Sequence, residues 1–586
     1  MRLPWTIFQW KLAKQNLLTA NSFLPITFLF NLTVLLEQSL IMKNTLLSIL
    51  CGFIPIVLLS QGPTLTTEQW ATLEITLISD ANYENSYTDV EVWAHFTNQK
   101  ADTILRPAFW DGDNIWKIRF TSPDSTSIWN WLTYASNELD KGLHGITGSA
   151  VSKPHSRDNQ LLANGLLKMA EGNRNVIQQS GKSFLVVADT PWAIPFRATI
   201  EQVSRYAEDR QQKGFNAALL MSLQPDMDAT GPDARNTKMG FKRAFKDLSD
   251  GHINSMNPSY FQTLDQIIDE LLKHEIVPVY QPVFHGFGWK GLRVLGNTIK
   301  PEEYVRYCKY LLARYGSKPA IWLIAGDHDG NDPGVKESGE MLEVWDSYAQ
   351  PTGLHYNPCD DFVAEWAVND PSKHCMHYNK THQDKEWLDF QWAQTGHDGS
   401  HQYHKVEKMY DNIPTKGVAN GEPTYEGMND GKNGLGWWQG EEAWMQLMHG
   451  GTMGIVYGAA SLWQWKITAD EEGWTAWSSQ PKSWEEALLM EGSIYAGMPG
   501  KILSDIDMTN IEKRWDLAGG RPLLAKPGSL YISFLKEGGS LEIKSLPPGL
   551  DYKWINPKNG SVEASGEAEQ TKFNAPDLNP WVLLIN

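Results

Sequence analysis

The chain has 586 residues, which is too long for one hydrophobic core and predicts several domains. Its formal net charge is -18 and no stretch is rich in Lys or Arg, so nucleic acid is not expected as a partner. The chain contains 26 tryptophans. Most are expected in cores, but exposed indole faces also offer platforms for sugar rings.

The N-terminal region contains the pattern of a secretory signal. Residues 42–62 begin with Met42 and one Lys, continue as a long apolar run and end in small and polar residues. We therefore expect a signal region within residues 1–62, translation from Met42, and a secreted or periplasmic protein of a bacterial cell envelope. The earlier apolar stretch 22–41 is interrupted by Pro, Asn and Glu, so a translated upstream region and a membrane anchor both stay open. No stable membrane insertion is expected after signal cleavage.

Few cysteines follow the signal. Cys308, Cys359 and Cys375 form an odd set without CxxC spacing, which predicts neither a disulfide framework nor a structural zinc site. A bridge between Cys359 and Cys375 stays open in an oxidising compartment.

Two β-rich regions flank the chain's middle. Residues 63–155 alternate apolar and polar side chains in short runs separated by turns, which predicts a small antiparallel β-sandwich. The segment 147–165 is polar, small and contains Pro, so we expect a linker there. The strand pattern returns in residues 505–586, which predicts a second β-sandwich.

The middle of the chain alternates apolar strands with amphipathic helices. This order predicts a parallel sheet covered by helices, and residues 160–500 have the length of a closed (β/α)8 TIM barrel. The predicted fold class is therefore α/β, with a barrel between two β-sandwiches. Strand 5 is expected in the histidine-containing segment 372–385. A long rim loop is expected from residue 224 to 240 and beyond.

Two carboxylates follow short apolar runs in this region. Asp327 lies in AIWLIAGDHDG and Glu422 in GVANGEPTYEG, and each run resembles a buried parallel strand that ends at a catalytic rim. The interval between them corresponds to about three barrel units of roughly 31 residues, which places them on strands 4 and 7. Two acids are the minimal equipment for cleaving a glycosidic bond. The sequence therefore indicates a glycoside hydrolase that uses no cofactor.

Two stretches of the sequence suggest metal sites, but neither has the required ligand pattern. The sequence DHDGND at 327–332 suggests calcium, but a calcium loop of the EF-hand type needs Gly at its sixth position and Glu at its twelfth. His374, His377 and His382 suggest zinc, but residues three apart on a strand face opposite sides. No metal ligand is predicted.

Several longer motifs occur in a specific order. They are VADTPW, KGFNAALL, NPSYFQTLDQIIDELLKHEIVPV, IWLIAGD, WLDFQWAQTGH, NGEPTYEG and YGAASLWQW, followed near the C-terminus by WINPKNG and PWVLLI. Over essentially the whole mature chain this order resembles the apiosidase-like glycoside hydrolases. The resemblance implies a TIM-barrel catalytic domain, an N-terminal β-sandwich and a C-terminal β domain of the collagen-binding type.

The resemblance also implies roles for the two carboxylates. Asp327 corresponds to the family's acid/base and Glu422 to its nucleophile. An acid of this kind must stay protonated, in apolar surroundings or close to another anion, whereas the nucleophile must be ionised and fixed. Asp329 and Glu426 are the alternative carboxylates. Ala325 departs from the GGD motif of the family, which affects the geometry of the turn more than its chemistry.

Further side chains are expected to contact substrate at the strand ends. They are Asp189 and Trp192 after strand 1, His285 and Trp289 after strand 3, His377 after strand 5, Asp389, Gln394 and His397 at strand 6, Tyr425 and Glu426 after strand 7, and Trp463 after strand 8.

The expected substrate is a plant or algal polysaccharide or a short oligosaccharide, and the sugar and linkage stay open. Two other functions also stay open. A polysaccharide lyase would need a Tyr or His base, for which Tyr378 and His377 are candidates. A non-catalytic surface protein would bind carbohydrate without turnover.

Overall fold

The structure is a computed structural model that describes residues 62–156, 158–229, 240–286, 293–356, 380–471 and 481–586. Several predictions fall outside the described residues: the signal region, Trp289, Cys359, Cys375, His377 and Tyr378. In the described ranges, no helix is both long enough and apolar enough to span a bilayer.

The N-terminal domain is built from seven strands. They are β1 (Thr64–Glu68), β2 (Leu73–Ile78), β3 (Val92–Thr97), β4 (Thr103–Gly112), β5 (Ile115–Phe120), β6 (Ile128–Ala135) and β7 (Thr147–Lys153). Their order is β1-β7-β6-β3-β4-β5-β2. The first half of β4 pairs with β3 and the second half with β5, so one long strand joins both parts of the domain around an aromatic core. The β-rich N-terminal domain is confirmed.

Two details of this domain differ from the prediction. The segment 147–153 is strand β7 rather than part of a linker. Its small residues have a packing reason, because a Cβ at Gly148 would lie 2.1 Å from the Trp131 ring. In addition, β1 pairs with β7 in parallel, so the domain is not wholly antiparallel.

A small sheet and then a closed barrel follow. The sheet contains β8 (Leu167–Met169), β9 (Val176–Gln178) and β10 (Ser183–Phe184). The barrel strands are β11 (Val186–Asp189), β12 (Ala217–Met221), β13 (Val277–Gln281), β14 (Ile321–His328), β15 (Thr352–Tyr356), β16 (Phe390–Gln394), β17 (Gly417–Glu422) and β18 (Gly454–Tyr457). All eight pair in parallel in sequence order, and most of their residues are buried, as expected for strands covered on both faces. The TIM barrel is confirmed.

Helices cover the barrel and connect its strands. In chain order the helices of the described residues are α1 (Ser86–Asp89), α2 (Gln160–Ala163), α3 (Ile194–Arg197), α4 (Ile200–Lys213), α5 (Pro258–Lys273), α6 (Pro301–Tyr315), α7 (Val335–Trp345), α8 (Tyr403–Tyr410), α9 (Trp437–Met448), α10 (Trp484–Leu488) and α11 (Gly492–Ile502), with an irregular turn at Met428–Gly431. Short 3-10 turns occupy Leu248–Asp250, Leu295–Asn297 and Trp515–Ala518. The amphipathic α4 shows how the sequence sets helix ends. A capping box of Thr199 and Gln202 begins it, and Gly214 ends it with a φ of 98°.

The fifth strand lies earlier in the chain than predicted. It is β15, with the sequence TGLHY, and not the segment 372–385. A Gly and a His conceal the apolar pattern, although all five residues are buried. Gly353 is required at this place because a Cβ there would lie 2.5 Å from the Phe390 ring. Because strand 5 is β15, His355 lies at the strand end that faces the catalytic rim.

The C-terminal domain is also β-rich, as predicted. Its strands are β19 (Glu512–Lys513), β20 (Leu524–Lys526), β21 (Leu530–Leu535), β22 (Ser540–Glu542), β23 (Asp551–Ile555), β24 (Val562–Glu567), β25 (Lys572–Asn574) and β26 (Trp581–Ile585). Six of them form a sheet in the order β19-β20-β21-β26-β23-β24, and β22 pairs with β25. The sheet packs on α9, where Trp444 stacks on Phe534 at 6.1 Å between ring centroids. The domain therefore covers the helix that follows strand 7.

A buried charge cluster joins the N-terminal domain to the barrel. Arg119 of β5 contacts Asp265 of α5 at 2.7 Å, and Arg314 of α6 contacts the same carboxylate at 2.8 Å. Glu74 and Asp111 of the N-terminal domain complete the cluster, at 2.9 Å from Arg119 and Arg314 respectively. Burial alone would raise the pKa of Asp265, but hydrogen bonds from the two guanidinium groups lower it to about 2. Asp265 is therefore an ionised carboxylate that holds the two domains together.

We predict that Asp265→Asn lowers the thermal unfolding midpoint and removes part of the acid sensitivity. The folded-state pKa lies below the ordinary value of 3.8, so Asp265 stabilises the fold above pH 4, and this contribution, on the order of 2 kcal/mol, is lost as pH falls toward 2. Scanning calorimetry from pH 7 to pH 2 measures it. Asp269→Asn is the matched control on α5, since that carboxylate is 63% exposed and pairs only with Lys318 at the surface. An unchanged acid dependence in Asp265→Asn would contradict this role.

Candidate active site

Both predicted carboxylates lie at the carboxyl ends of barrel strands. Asp327 is the last residue but one of β14, the fourth barrel strand, and Glu422 is the last residue of β17, the seventh. Asp327 has a φ of 60°, a left-handed conformation that is uncommon outside Gly and concentrates at functional sites. A Cβ at Gly326 would lie 2.2 Å from Oε1 of Gln281, so the residue before Asp327 has to be Gly for this packing.

A bulge orients Glu422. Ala393 pairs with Asn420 and Gln394 pairs with Glu422, so Gly421 is an extra residue on β17. In a regular strand residues 420 and 422 would face the same side. With the bulge, Asn420 bonds to Glu442 on the covering helix α9, and the Glu422 side chain contacts groups at the barrel mouth.

The Glu422 carboxylate is buried among hydrogen-bond donors. His397 Nε2 lies 2.9 Å from Oε1, and His355 Nε2 lies 3.3 Å from Oε2. Burial alone would raise the pKa of Glu422. The hydrogen bond and charge of His397, with His355 and the Tyr425 hydroxyl, outweigh burial and lower that pKa below its usual range. Glu422 is therefore held as an anion.

Asp327 is in the opposite electrostatic state. Its Oδ1 atom is buried and has no hydrogen-bond partner among the described residues. Burial raises the pKa of Asp327 well above its usual value, and the negative charge of Glu422 raises it further. A hydrogen bond from Gln394 opposes this only in part. One carboxyl is thus kept protonated while the other is kept ionised, which separates an acid from a base or nucleophile.

Aromatic side chains surround the pair. Trp192 Nε1 donates to the Tyr425 hydroxyl at 2.8 Å, and the Trp192 ring lies 5.9 Å from His355. The Tyr425 ring lies 4.8 Å from that of His397, and the half-buried Trp463 packs beside Tyr425. The structure therefore brings four predicted contact residues to the carboxylate pair, namely Trp192, Gln394, His397 and Tyr425, while Trp463 packs against the cluster that contains Tyr425.

The prediction for Asp389 is wrong. It precedes β16, so it lies at the end of the barrel opposite to the carboxylate pair. Its Oδ2 accepts from the backbone N–H of Thr352, where β15 begins. The alternation of side chains locates a strand, but it does not define at which end of the strand a flanking acid lies. Here Asp389 connects the start of β16 to the start of β15.

Asp189 and Glu426 lie near the strand ends but bind protein groups. Asp189 is fully buried and contacts Arg210 at 2.6 Å. Glu426 accepts from the Gly436 and Gly492 backbone N–H groups at 2.9 Å and from the Tyr457 hydroxyl at 2.7 Å. The expectation that Glu426 contacts substrate is therefore corrected, because its carboxylate binds two glycine N–H groups and a tyrosine hydroxyl.

His285 is fully buried and packs at 5.6 Å from the Tyr304 ring. Burial lowers its pKa to about 4, so the imidazole is neutral at physiological pH.

Among the described residues, one group could hold a cation, namely His328, Asp329 and Asp332, whose ligand atoms all lie within 4.8 Å of one another. His328 Nδ1 is already 2.8 Å from Asp332 Oδ2, and this direct hydrogen bond accounts for the pair without a metal.

His355 is the residue that sequence reasoning missed. It lies on β15, is 1% exposed, and contacts both Glu422 and the Trp192 ring. The signal was the short segment TGLHY between the strands with Asp327 and Gln394, at the spacing at which a barrel needs its fifth strand.

Sequence comparison places these features in a family. The sequence model described as "Apiosidase-like, catalytic domain" matches residues 170–510, and a domain of unknown function (DUF5060) matches residues 66–136. No curated protein sequence matches the chain significantly.

Solved structures share the fold. A "putative glycoside hydrolase" from Bacteroides vulgatus has a TM-score of 0.62 at 16% identity and covers 89% of this chain and 99% of its own. A family 5 glycoside hydrolase from the same organism has a TM-score of 0.56 at 19% identity, with 72% and 93% covered. A further glycoside hydrolase has a TM-score of 0.57 at 18% identity, with 72% and 97% covered. Because the catalytic-domain match spans more than half of the sequence, the chain belongs to the apiosidase-like family and is a glycoside hydrolase.

Proposed function

We propose that the protein is a secreted, retaining glycoside hydrolase that cleaves O-glycosidic bonds in plant or algal polysaccharides or oligosaccharides. In this proposal Asp327 is the acid/base and Glu422 the nucleophile. The observation that carries it is the opposite pKa shift of two carboxyls at the ends of strands 4 and 7. Retention requires the two carboxyl groups to lie roughly 5 to 5.5 Å apart.

The first step forms a glycosyl-enzyme. The ionised Glu422 attacks the anomeric carbon while Asp327 gives its proton to the departing glycosidic oxygen. His397 Nε2 keeps Glu422 Oε1 in place for this attack, and the Tyr425 hydroxyl supports the anion. The C–O bond to the leaving group breaks as the C–O bond to Glu422 forms, so charge and protons balance.

The second step reverses the role of Asp327. Burial of Asp327 persists, but once Glu422 is esterified it has no negative charge, so its contribution to the raised pKa of Asp327 disappears and that pKa falls. Asp327 is then a carboxylate that can take a proton from water, and the hydroxyl attacks the anomeric carbon and releases Glu422. The interaction between the two carboxylates therefore resets the acid for each half-reaction.

The surroundings of the pair favour short chains or chain ends. Glu422 is 7% exposed and lies beside Trp192 and Tyr425, which matches a small pocket better than an open groove.

Secretion is supported by the signal pattern at residues 42–62. Expression from Met42 followed by cell fractionation tests it, and retention of that form in the cytoplasm would contradict it.

We predict that Glu422→Gln lowers the pKa of Asp327. The variant keeps the shape of the side chain but removes the negative charge that raises this pKa. Titration of the Asp327 carboxyl carbon by NMR in both proteins measures the shift. His252→Gln, which alters a His paired with Glu303 outside the site, is the control and should leave the titration unchanged. An Asp327 pKa that stays the same in Glu422→Gln would mean that the two groups do not interact.

We also predict that the two acids respond differently to the leaving group. Asp327→Asn should reduce turnover of natural glycosides about 10²- to 10⁴-fold but spare substrates with good leaving groups, since these need little protonation. Glu422→Gln should reduce turnover of both by orders of magnitude, because attack is common to both. Steady-state kinetics on a natural oligosaccharide and on a 2,4-dinitrophenyl glycoside give the comparison. Equal losses for both substrates in Asp327→Asn would refute its role as the acid.

A further inference from the structure

Behind the strand that carries Glu422 lies a buried polar chain that the proposed chemistry does not use. Glu442 of α9 is 3% exposed, and its Oε1 accepts from Asn420 Nδ2 at 3.1 Å. The same amide donates to Thr395 Oγ1 at 3.0 Å, and the Thr395 backbone N–H donates to the Glu422 carbonyl at 3.1 Å. Three hydrogen bonds thus run from the covering helix to the backbone of Glu422.

The positively charged side chain of His401 lies beside Glu442. His401 donates through Nδ1 to Glu442 Oε2, and its Nε2 lies 3.2 Å from Glu441. Burial alone would lower the pKa of His401, but its hydrogen bonds with these two glutamates raise it to about 9, so the ring is a cation at neutral pH. The ring stacks on Trp438 at 4.4 Å between centroids, with an interplanar angle of 8°. His401 is therefore fixed in position as well as charged.

These hydrogen bonds act at the bulge at Gly421, which turns the side chains of Asn420 and Glu422 to opposite faces of β17. In a regular strand, with Gly421 paired instead of bulged, the side chains of Asn420 and Glu422 would lie on one face. Asn420 is held on the outer face by Glu442, which leaves Glu422 to face the barrel mouth. A backbone that relaxed to a regular strand would turn one of these two side chains to the wrong face.

We propose that Glu442 is a positioning residue for Glu422: by holding Asn420 on the outer face of β17, it fixes the bulge that presents the nucleophile. The proposal rests on the assignment of Glu422 as nucleophile and goes beyond it by placing part of the catalytic support in α9. The C-terminal domain packs on the same helix, and its Lys536 contacts Glu441 at 2.6 Å.

Glu442→Gln tests the proposal with little change in volume. The new amide has one acceptor oxygen, but Asn420 Nδ2 and Gln446 Nε2 donate to one oxygen of the carboxylate and His401 Nδ1 to the other, so these three contacts cannot all persist unchanged. Glu407→Gln on the neighbouring helix α8 is the matched control. Glu407 is also a glutamate paired with a histidine, His449 at 3.2 Å, but among the described residues its side-chain contacts are with His449 and Lys513 and not with Asn420 or Thr395.

The readout is kinetics on the 2,4-dinitrophenyl glycoside that the wild type cleaves fastest in a panel of pentosides and hexosides. We expect kcat to fall at least roughly tenfold in Glu442→Gln with little change in KM, and to stay within about twofold in Glu407→Gln. The loss should be equally large on a natural oligosaccharide, because nucleophilic attack is common to both substrates. A loss seen only with the poorer leaving group would indicate an effect on Asp327 and overturn the proposal.

Two further measurements separate the possible failures. Thr395→Val removes only the Oγ1 acceptor of Asn420 and should lower kcat by about threefold. This variant tests the same hydrogen-bond chain if Glu442→Gln does not fold. If Glu422→Gln abolishes turnover while Glu442→Gln and Thr395→Val match Glu407→Gln, this inference is wrong and the nucleophile assignment stands. If Glu422→Gln itself retains turnover, the proposed function fails first.

Discussion

Two carboxyl groups in one buried site cannot both be charged without a large cost, and the active site depends on this constraint. Burial and the charge of Glu422 raise the pKa of Asp327, while donors around Glu422 lower its own pKa. The asymmetry lies in the neighbours. His397, His355 and Tyr425 contact Glu422 and lower its pKa, whereas at Asp327 burial and the charge of Glu422 outweigh the hydrogen bond from Gln394.

The backbone is irregular where both groups leave their strands. Asp327 has a left-handed φ of 60°, and Glu422 follows a bulge at Gly421. Such features cost stability locally and persist only where surrounding contacts hold them. The surrounding structure supplies those contacts in layers: Gln281 packs against the residue before Asp327, and the helix α9 holds Asn420 behind Glu422. The C-terminal domain packs on the same helix that holds Asn420.

Much of this could be predicted from the sequence, for identifiable reasons. Buried parallel strands are short apolar runs, so β14 and β17 and the acids at their ends were recognisable. His355 was missed because β15 contains Gly and His in place of an apolar run. Asp189 and Glu426 could not be recognised as structural, because their partners, Arg210, Tyr457 and two glycine N–H groups, are distant in sequence. Burial of one carboxyl and the donors around the other are tertiary properties that no local pattern encodes.

The stereochemistry of the first product tests the central claim most directly. If Glu422 attacks the sugar and Asp327 serves first as acid and then as base, the newly formed hemiacetal has the same anomeric configuration as the substrate. Following the anomeric proton by NMR in the first minutes of hydrolysis, before mutarotation, shows the configuration. Retention is the result predicted by a close pair in which Glu422 is the nucleophile. A first-formed product of inverted configuration would contradict that role, even if both Asp327→Asn and Glu422→Gln were inactive.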